Sequence, residues 1–300
     1  MNDSNSVLGE KTRLLTGLIY SVLSFIGFFF YVLVLVVFVK NYSLFKENAY
    51  YLIVCNLAAA DIGYQLVNIL VMLPWTFLGY YPLGKSVGNV LAKGNSIFFY
   101  AILFLTVLLS FNRFTIFILS DLNTFLFEPP RRFWMMVLAW TAALVTYGVI
   151  WFCDCSTIFS VTGNHFTVSC PTFDTLKVIF QFEQAGCLLI FCLYIGVVVH
   201  VQLIRREIEK TTTRQWANSL QKEEKRRKFR QEHKLLIEGC IVCGIFCFEV
   251  FCFWLVPQVV RSYIGGVLTS VLGIINSSVN PFIYLSFNKT LRDKVAELFR

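Results

Sequence analysis

Seven long apolar stretches that are almost free of ionisable residues constrain this chain more than any other feature. A helix needs about 20 apolar residues to cross a bilayer. Stretches of this kind cover residues 14–39, 49–78, 96–120, 133–152, 178–204, 235–257 and 262–287. Hydrophobic side chains make up 57% of the chain and charged ones only 15%, which disfavours a single water-soluble domain. The sequence therefore predicts an all-α integral membrane protein with seven spans.

The chain contains no internal repeat and no separate polar domain, so we interpret residues 1–300 as a single domain. The first apolar stretch is too long for the core of a secretory signal peptide and is expected to remain as a span. Residues 288–299 follow the last span and place Phe287, Leu291, Val295 and Leu298 on one stripe. This pattern predicts a short amphipathic eighth helix.

The basic residues predict the orientation of the chain in the membrane. With the N-terminus outside, 20 of the 26 Lys and Arg residues lie in or next to inner segments and six in outer ones. Basic loops favour the cytoplasm, so an extracellular N-terminus, a cytoplasmic C-terminus and a multi-pass plasma-membrane location are expected. The densest basic segment, Arg205–Lys234, is expected to extend its two flanking spans as helices around a turn. It is suited to anionic membrane lipid or an acidic cytosolic partner. Nucleic acid is disfavoured as a partner beside two membrane spans.

Two motifs in the second and seventh spans indicate a family. Asp61 ends the sequence Asn-Leu-Ala-Ala-Ala-Asp, and residues 280–284 read Asn-Pro-Phe-Ile-Tyr. An ionisable residue at membrane depth is costly and usually functional. In these positions the chain resembles the rhodopsin-like G-protein-coupled receptors, whose second and seventh helices carry such patterns. The resemblance covers nearly the whole chain and implies a seven-helix receptor.

Arg113 stands in Asn112-Arg113-Phe114, where the family usually has an acidic residue, Arg and Tyr. The resemblance implies a role in contacting the G protein, and the spacing from the turn at 81–84 agrees. The alternative is an Arg that merely reaches the membrane edge. Asn112 removes the carboxylate that usually restrains this Arg, which favours easier basal activity. The resemblance also assigns coupling and activation to Tyr194, Pro281 and Tyr284.

The Asn-Arg-Phe variant and the abundance of Phe make the chain most similar to the serpentine chemoreceptors of nematodes. Several positions depart from the general receptor pattern. Tyr31 replaces the usual Asn of the first helix, and Gly186 replaces the Pro of the fifth. In the sixth, Trp254 lies three residues before Pro257 instead of two, whereas Phe251 keeps the usual spacing.

The family resemblance implies a sodium site around the second-helix acid, and no other cofactor is expected. The matching residues are Asp61, Asn276, Ser277 and Asn280. Ile102 stands where the third helix usually supplies a hydroxyl, which removes one of the several oxygens that a hard cation needs. Glu249 has no family counterpart, and a neutral, hydrogen-bonded core carboxyl is its simplest interpretation.

The ten cysteines fall into two groups with different expected roles. Cys240, Cys243 and Cys247 lie along one span without His, so packing is favoured over metal binding. The outer segment 153–177 contains Cys153, Cys155 and Cys170 around a predicted hairpin centred on Gly163-Asn164. Because Gly88 occupies the position of the family's usual third-helix cysteine, a bridge within the loop is expected. Cys155 is favoured as the partner of Cys170, with Cys153 as the alternative.

These features favour a chemosensory receptor that binds a small molecule and activates a heterotrimeric G protein. The predicted ligand-binding residues are Asn95, Phe99, Glu183, Trp254, Gln258 and Ser270. The alternative is a small transporter or channel with an ion path through Asp61 and Glu249. An opsin is excluded because no Lys for retinal lies between Ser262 and Phe287. No catalytic motif is present, so the protein is not expected to be an enzyme.

The predicted topology can be tested with the chain's own Asn-x-Ser/Thr sequons at Asn2, Asn41, Asn276 and Asn288. Only Asn2 is expected to face the lumen and to carry a glycan. Glycopeptide mapping of membrane-purified protein, with Asn2→Gln as control, measures this directly. A glycan on Asn41 or Asn288 would show that the chain has the opposite orientation to the predicted one.

Overall fold

The structure is a bundle of seven long helices. The computed structural model describes residues 9–212, 219–260 and 262–299. For residues 205–233 it describes at most the backbone. Seven described helices are long and apolar enough to cross a membrane, and they confirm the predicted seven-span fold. The spans are Glu10–Lys40, Ala49–Leu78, Lys85–Ile118, Arg131–Phe152, Phe173–Ile204, Lys234–Val259 and Tyr263–Phe287.

In secondary structure, the first span is α1 (Glu10–Lys40), followed by a short α2 (Tyr42–Phe45). The second span comprises α3 (Ala49–Val67), a π-helical turn (Asn68–Met72) and α4 (Leu73–Leu78). The third and fourth are α5 (Lys85–Ile118) and α7 (Arg131–Phe152), separated by α6 (Ser120–Phe127). The last three belong to α8 (Phe173–Thr212), α9 (Ser219–Val259) and α10 (Tyr263–Phe287), and α11 (Lys289–Leu298) ends the fold.

The third helix begins at Lys85, well before the expected start at residue 96. The apolar stretch stops at Lys93, but Lys favours helix, so its charge does not end α5. The Lys93 ammonium lies 5.7 Å from the centre of the Trp151 ring, at the end of the fourth span that is predicted to be outer. A cation–π contact of this kind is favourable for the charge at this depth.

The basic segment between the fifth and sixth spans extends both helices. Helix α8 continues to Thr212 and α9 starts at Ser219, as the sequence indicated. The turn expected between them lies outside the described residues, as do the contacts of the basic side chains.

The amphipathic eighth helix is present as α11. The Asn288 side chain accepts a hydrogen bond of 3.1 Å from the backbone N–H of Leu291 and so caps the helix. Leu291 is buried, and Val295 and Leu298 pack against the same core. Tyr51 and Asn288 hydrogen-bond across the inner end of the bundle, which joins the second span to this helix.

The third span lies at the centre of the bundle, whereas the fourth turns much of its surface outward. Leu105, Thr106 and Leu109 of the third span are fully buried. On the fourth span, Trp134 and Leu138 are more than half exposed. Large exposed apolar side chains suit contact with lipid, which explains why the chain can carry so many of them.

The outer segment after the fourth span forms the predicted hairpin. Strand β1 (Ser156–Ser160) pairs antiparallel with β2 (His165–Ser169), with Ser160 opposite His165. Asn164 adopts a φ of 51°, in the left-handed region that Asn tolerates in tight turns. A disulfide joins Cys155 to Cys170 at the base of the hairpin, and Cys153 is free and exposed.

The disulfide predicts a specific pattern of stability among cysteine variants. Cys155→Ser and Cys170→Ser each open a loop closed over 15 positions, which is expected to cost about 3 kcal/mol of unfolding free energy. The double variant should be no less stable than either single one, because both remove the same bond. Thermal unfolding and surface delivery measure this, and Cys153→Ser is the matched control. Equal loss in the control, or a free Cys170 thiol in peptide mapping, would contradict the assignment.

Candidate functional site

A cavity of about 50 Å³ lies at the outer end of the bundle beneath the hairpin. The second, third, fifth, sixth and seventh spans all contribute side chains to it, and Thr157, Phe166 and Val168 of the hairpin cover it. Asn68 enters the wall from the π-helical turn of the second span. Such turns interrupt the regular register of a helix and are frequent at functional sites.

Glu183 joins three spans at the wall of this cavity. The Tyr100 hydroxyl of the third span donates to Oε1 over 2.9 Å, and the Trp254 indole N–H of the sixth donates to Oε2 over 2.8 Å. Glu183 is only 4% exposed. Hydrogen bonds to a carboxylate are stronger than neutral ones, particularly away from water. A ligand that displaces either donor would therefore alter the contacts between the third, fifth and sixth spans.

A second carboxyl group, Glu249 of the sixth span, also lines the cavity. The Asn276 side-chain amide of the seventh span lies 3.5 Å from its Oε2. This agrees with the expected hydrogen-bonded core carboxyl, but Glu249 also faces the cavity, which the sequence did not reveal.

Of the predicted ligand-binding residues, Asn95, Phe99, Glu183 and Ser270 line the cavity. Trp254 reaches it indirectly, through its hydrogen bond to Glu183. Gln258 does not line it and is exposed instead. Gln258 lies a turn beyond Trp254, next to the end of α9 at Val259, and so above the level of the cavity.

The hairpin is held to the bundle by several noncovalent contacts. Tyr20 of the first span donates to the Asn164 carbonyl over 2.9 Å, and Tyr81 donates to the Phe159 carbonyl over 2.7 Å. Ser96 of the third span hydrogen-bonds Thr157. The hairpin is therefore joined to the third helix by noncovalent contacts, although its disulfide lies within the loop. A Cβ on Gly88 would lie 2.6 Å from the Trp75 ring, so the position of the usual cysteine is used for packing.

Asp61 is the polar centre of the bundle. Its Oδ2 accepts hydrogen bonds from the Tyr31 hydroxyl and, over 3.1 Å, from the Asn280 amide. Tyr31 thus supplies the first-helix donor although the family's usual Asn is absent. The unusual residue preserves the link between the first, second and seventh spans.

Three oxygens of the predicted sodium-binding residues have no hydrogen-bond partner among the described residues: Asp61 Oδ1, Asn276 Oδ1 and Asn280 Oδ1. All three are buried. Ser277 differs from them, because its hydroxyl donates to the Ile274 carbonyl and accepts from the Gln65 amide over 2.8 Å. Of the four residues predicted to bind sodium, three therefore have a buried oxygen without a hydrogen-bond partner.

Arg113 is fully buried at the inner end of the third span. Its guanidinium carbon lies 4.2 Å from the centre of the Tyr50 ring of the second span. Glu238 of the sixth span, 1% exposed, interacts electrostatically with Arg113. The alternative, an Arg that reaches the membrane edge, is wrong, because the Arg113 side chain is enclosed within the helix bundle.

Asn112 does not leave a gap where the usual acidic residue is missing. Its amide donates over 3.4 Å to Asn123 of α6, which also accepts from Thr115. The helix α6 is thereby fixed to the third span. Arg113 contacts the Tyr50 ring and interacts electrostatically with Glu238, where the family usually has a carboxylate next to it in sequence.

The other predicted coupling residues lie in the same inner half. Tyr194 and Tyr284 are buried within one apolar core. A Cβ on Gly239 would lie 2.5 Å from the Tyr194 hydroxyl, so the fifth and sixth spans approach closely there. Pro281 lies inside α10, where it removes one backbone hydrogen bond and weakens the helix locally.

Cys243 lies at this contact between the third, fifth and sixth spans. Its sulfur is 3.6 Å from the hydroxyls of both Ser110 and Tyr194. No group of three His, Cys, Asp or Glu suited to a metal occurs among the described residues.

Sequence reasoning missed Tyr50, Tyr100 and Glu238 as functional partners. Glu238 carried a signal, because it is one of very few charged residues within the spans. The two tyrosines carried none, since 13 Tyr residues are spread along the chain. Only the rotation of neighbouring helices shows that Tyr50 meets Arg113 and Tyr100 meets Glu183.

Seven spans, an outer cavity and a buried inner Arg together define a rhodopsin-like G-protein-coupled receptor. The fold is similar to the crystal structure of squid rhodopsin, with a TM-score of 0.85 and 17% sequence identity over 97% of this chain and 82% of that one. The sequence pattern of the serpentine type 7TM GPCR chemoreceptor Srx matches residues 22–288. The chain belongs to this chemoreceptor family. No curated protein matches it in sequence.

Proposed function

We propose that this chemosensory receptor binds a small molecule in the outer cavity and thereby activates a heterotrimeric G protein at the inner face. The observation that carries the proposal is the Glu183 junction, because a single cavity-lining carboxyl group joins the third, fifth and sixth spans. A ligand can shift a two-state equilibrium only by binding one state better. Contacts with this junction provide such a difference.

The helices that meet at the outer cavity also form the inner half of the bundle. The sixth span carries both Trp254 near the cavity and Glu238 near Arg113. Movement of this helix would separate Glu238 from Arg113 and open the contact with the fifth span at Tyr194. Arg113 would then become available to the G protein. Rigid helix shifts of this type are common in switching proteins.

The proposed location is the plasma membrane, with the N-terminus outside and the C-terminus in the cytoplasm. The excess of basic residues on the inner side supports this orientation. Arg205–Lys234 would then lie beside anionic inner-leaflet lipid and the acidic surfaces of a cytosolic partner.

The transporter or channel hypothesis is no longer favoured. Membership of the chemoreceptor family and the rhodopsin fold assign the chain to receptors and not to enzymes or transporters. Glu249 lies in the wall of the outer cavity, and Asp61 is engaged by Tyr31 and Asn280. The positions of both acids are therefore explained without an ion path.

We also propose sodium as an ion that stabilises the resting bundle at Asp61. The three buried, unpartnered oxygens of Asp61, Asn276 and Asn280 have the chemistry that a hard cation requires. Bound sodium would supply positive charge to the Asp61 carboxylate, and these side chains would hold the second and seventh spans together around it. Ser277 contributes less than expected, because Gln65 uses its hydroxyl.

The coupling mechanism predicts loss of signalling from changes at the inner end. Arg113→Ala and Tyr284→Ala should lower basal guanine-nucleotide exchange on a reconstituted G protein roughly tenfold, within the usual range of allosteric coupling. Surface expression should change little. Lys177→Ala, at the outer end of the fifth span, is the matched control for loss of a positive charge. Undiminished exchange by the Arg113 variant would refute the mechanism.

Sodium binding predicts an ion-specific effect on stability. Replacing choline chloride by sodium chloride at constant ionic strength should raise the thermal unfolding temperature, because an ion that binds only the folded state stabilises it. Asp61→Asn should abolish the difference, whereas Asp174→Asn, on an exposed side chain, should retain it. An equal response to both salts in the unaltered protein would exclude the site.

A further inference from the structure

The outer cavity contains two carboxyl groups and no basic partner for them. Glu183 and Glu249 both line it, and no Lys, Arg or His is among the described residues of its wall. Both side chains are more than nine-tenths buried. A buried carboxyl group without a positive partner is unfavourable in its charged form and stays neutral while no cation is present. A ligand that brings a positive charge pairs with the ionised form, so such a wall favours a cationic ligand.

The two acids differ in how far the protein already satisfies them. Glu183 receives one donor on each oxygen, from Tyr100 and Trp254. Glu249 receives only the distant Asn276 amide on Oε2, and no described hydrogen bond reaches its Oε1. Glu249 therefore retains an oxygen for a ligand.

Gly273 of the seventh span packs beside this oxygen. A Cβ built on Gly273 would lie 3.4 Å from Glu249 Oε1 and 3.1 Å from the Tyr64 hydroxyl, so a side chain here would crowd both oxygens. The rings of Phe99 and Phe253 also line the cavity, and aromatic faces attract organic cations.

A second, independent feature indicates another group on the ligand. Asn68 and Asn95 line the same cavity at 1% and 7% exposure. The Asn68 Nδ2 has no hydrogen-bond partner among the described residues, and the Asn95 amide has only the nearby Tyr64 hydroxyl, which also lines the cavity. A buried donor left without a partner is costly, so these amides are suited to an acceptor oxygen supplied by a ligand.

The cavity also limits ligand size. A volume of about 50 Å³ corresponds to roughly three to five water molecules by the usual allowance for each. A compact ligand with a few non-hydrogen atoms fits this space without movement of the walls.

We infer that the ligand of this receptor is a small protonated amine that also carries a hydrogen-bond acceptor. The ammonium group lies against Glu249, and the acceptor oxygen faces Asn68 and Asn95. The inference rests on the proposed function, since it names the ligand class for the same outer cavity.

Four compounds with similar carbon chains test the inference on the purified full-length protein. The probe is 3-amino-1-propanol. In 1,3-propanediol a neutral hydroxyl replaces the ammonium, in n-butylamine a methyl group replaces the hydroxyl, and 3-hydroxypropanoate carries a negative charge. Binding is measured by ligand-observed NMR and by the shift in thermal unfolding temperature.

The amino alcohol should bind at least about tenfold more tightly than the diol or the anion, because only the amine can pair with the carboxylate. It should also bind more tightly than n-butylamine, which cannot use the amide donors. Equal affinity for all four compounds, or no binding of the amino alcohol at millimolar concentrations, would overturn the inference.

Variants locate the effect. Glu249→Gln should remove the preference for the amino alcohol over the diol, whereas Glu128→Gln, an exposed acid paired with Arg131 at the inner side, should retain it. Asn95→Ala should weaken the amino alcohol more than n-butylamine. Gly273→Ala should weaken both amines by occupying the space beside Glu249. A Glu249→Gln protein that keeps the full preference would refute the assignment even if the amines bind.

Failure of the inference can be distinguished from failure of the receptor mechanism. Basal nucleotide exchange and its dependence on Arg113 are measured on the same preparation without any ligand. Loss of the amine preference with Arg113-dependent exchange intact rejects only the ligand class. Exchange that does not depend on Arg113 rejects the proposed coupling instead.

Discussion

Because the hydrocarbon core of a membrane contains no water, polar groups within the spans need partners from the protein or from a molecule or ion that it binds. Helices meet this requirement for the backbone. Long polar side chains meet it largely between helices, and polar residues therefore determine where the spans meet. Asp61 gathers the first and seventh spans around the second, and Glu183 gathers the third and sixth around the fifth. The bundle is organised around these two carboxyl groups.

The two centres differ in a way that suits a switch. Asp61 lies deep in the bundle, where its partners Tyr31 and Asn280 are both buried. Glu183 lies in the wall of the outer cavity, where an incoming molecule can compete with Tyr100 or Trp254. In the proposed mechanism, a ligand acts on the Glu183 junction and leaves the Asp61 junction unchanged. The sixth span connects the outer junction with the region of Arg113, since Trp254 and Glu238 both belong to it.

The spans, their order and the positions of Asp61 and Arg113 within them could be predicted, because length, charge and local motifs are properties of single segments. The pairing of residues from different spans could not. Whether Tyr100 reaches Glu183, or Tyr50 reaches Arg113, depends on the rotation and depth of two helices far apart in sequence. Gln258 illustrates the same limit, because its helix was identified correctly but its height relative to the cavity was not.

Departures from the family pattern are informative because the structure balances them with residues elsewhere. Tyr31 reaches Asp61 from the position of the usual Asn, and Tyr50 with Glu238 restrains Arg113 where the neighbouring acid is absent. The Cys155–Cys170 bridge forms within the loop, and the Trp75 ring packs against Gly88. Around Asp61 and Arg113 the connection between helices is kept while the residue that makes it changes, and the Ser96–Thr157 hydrogen bond joins the loop to the third span. The requirement to satisfy polar groups without water thus acts on the contact between helices, and it leaves the identity of each contributing residue open to substitution.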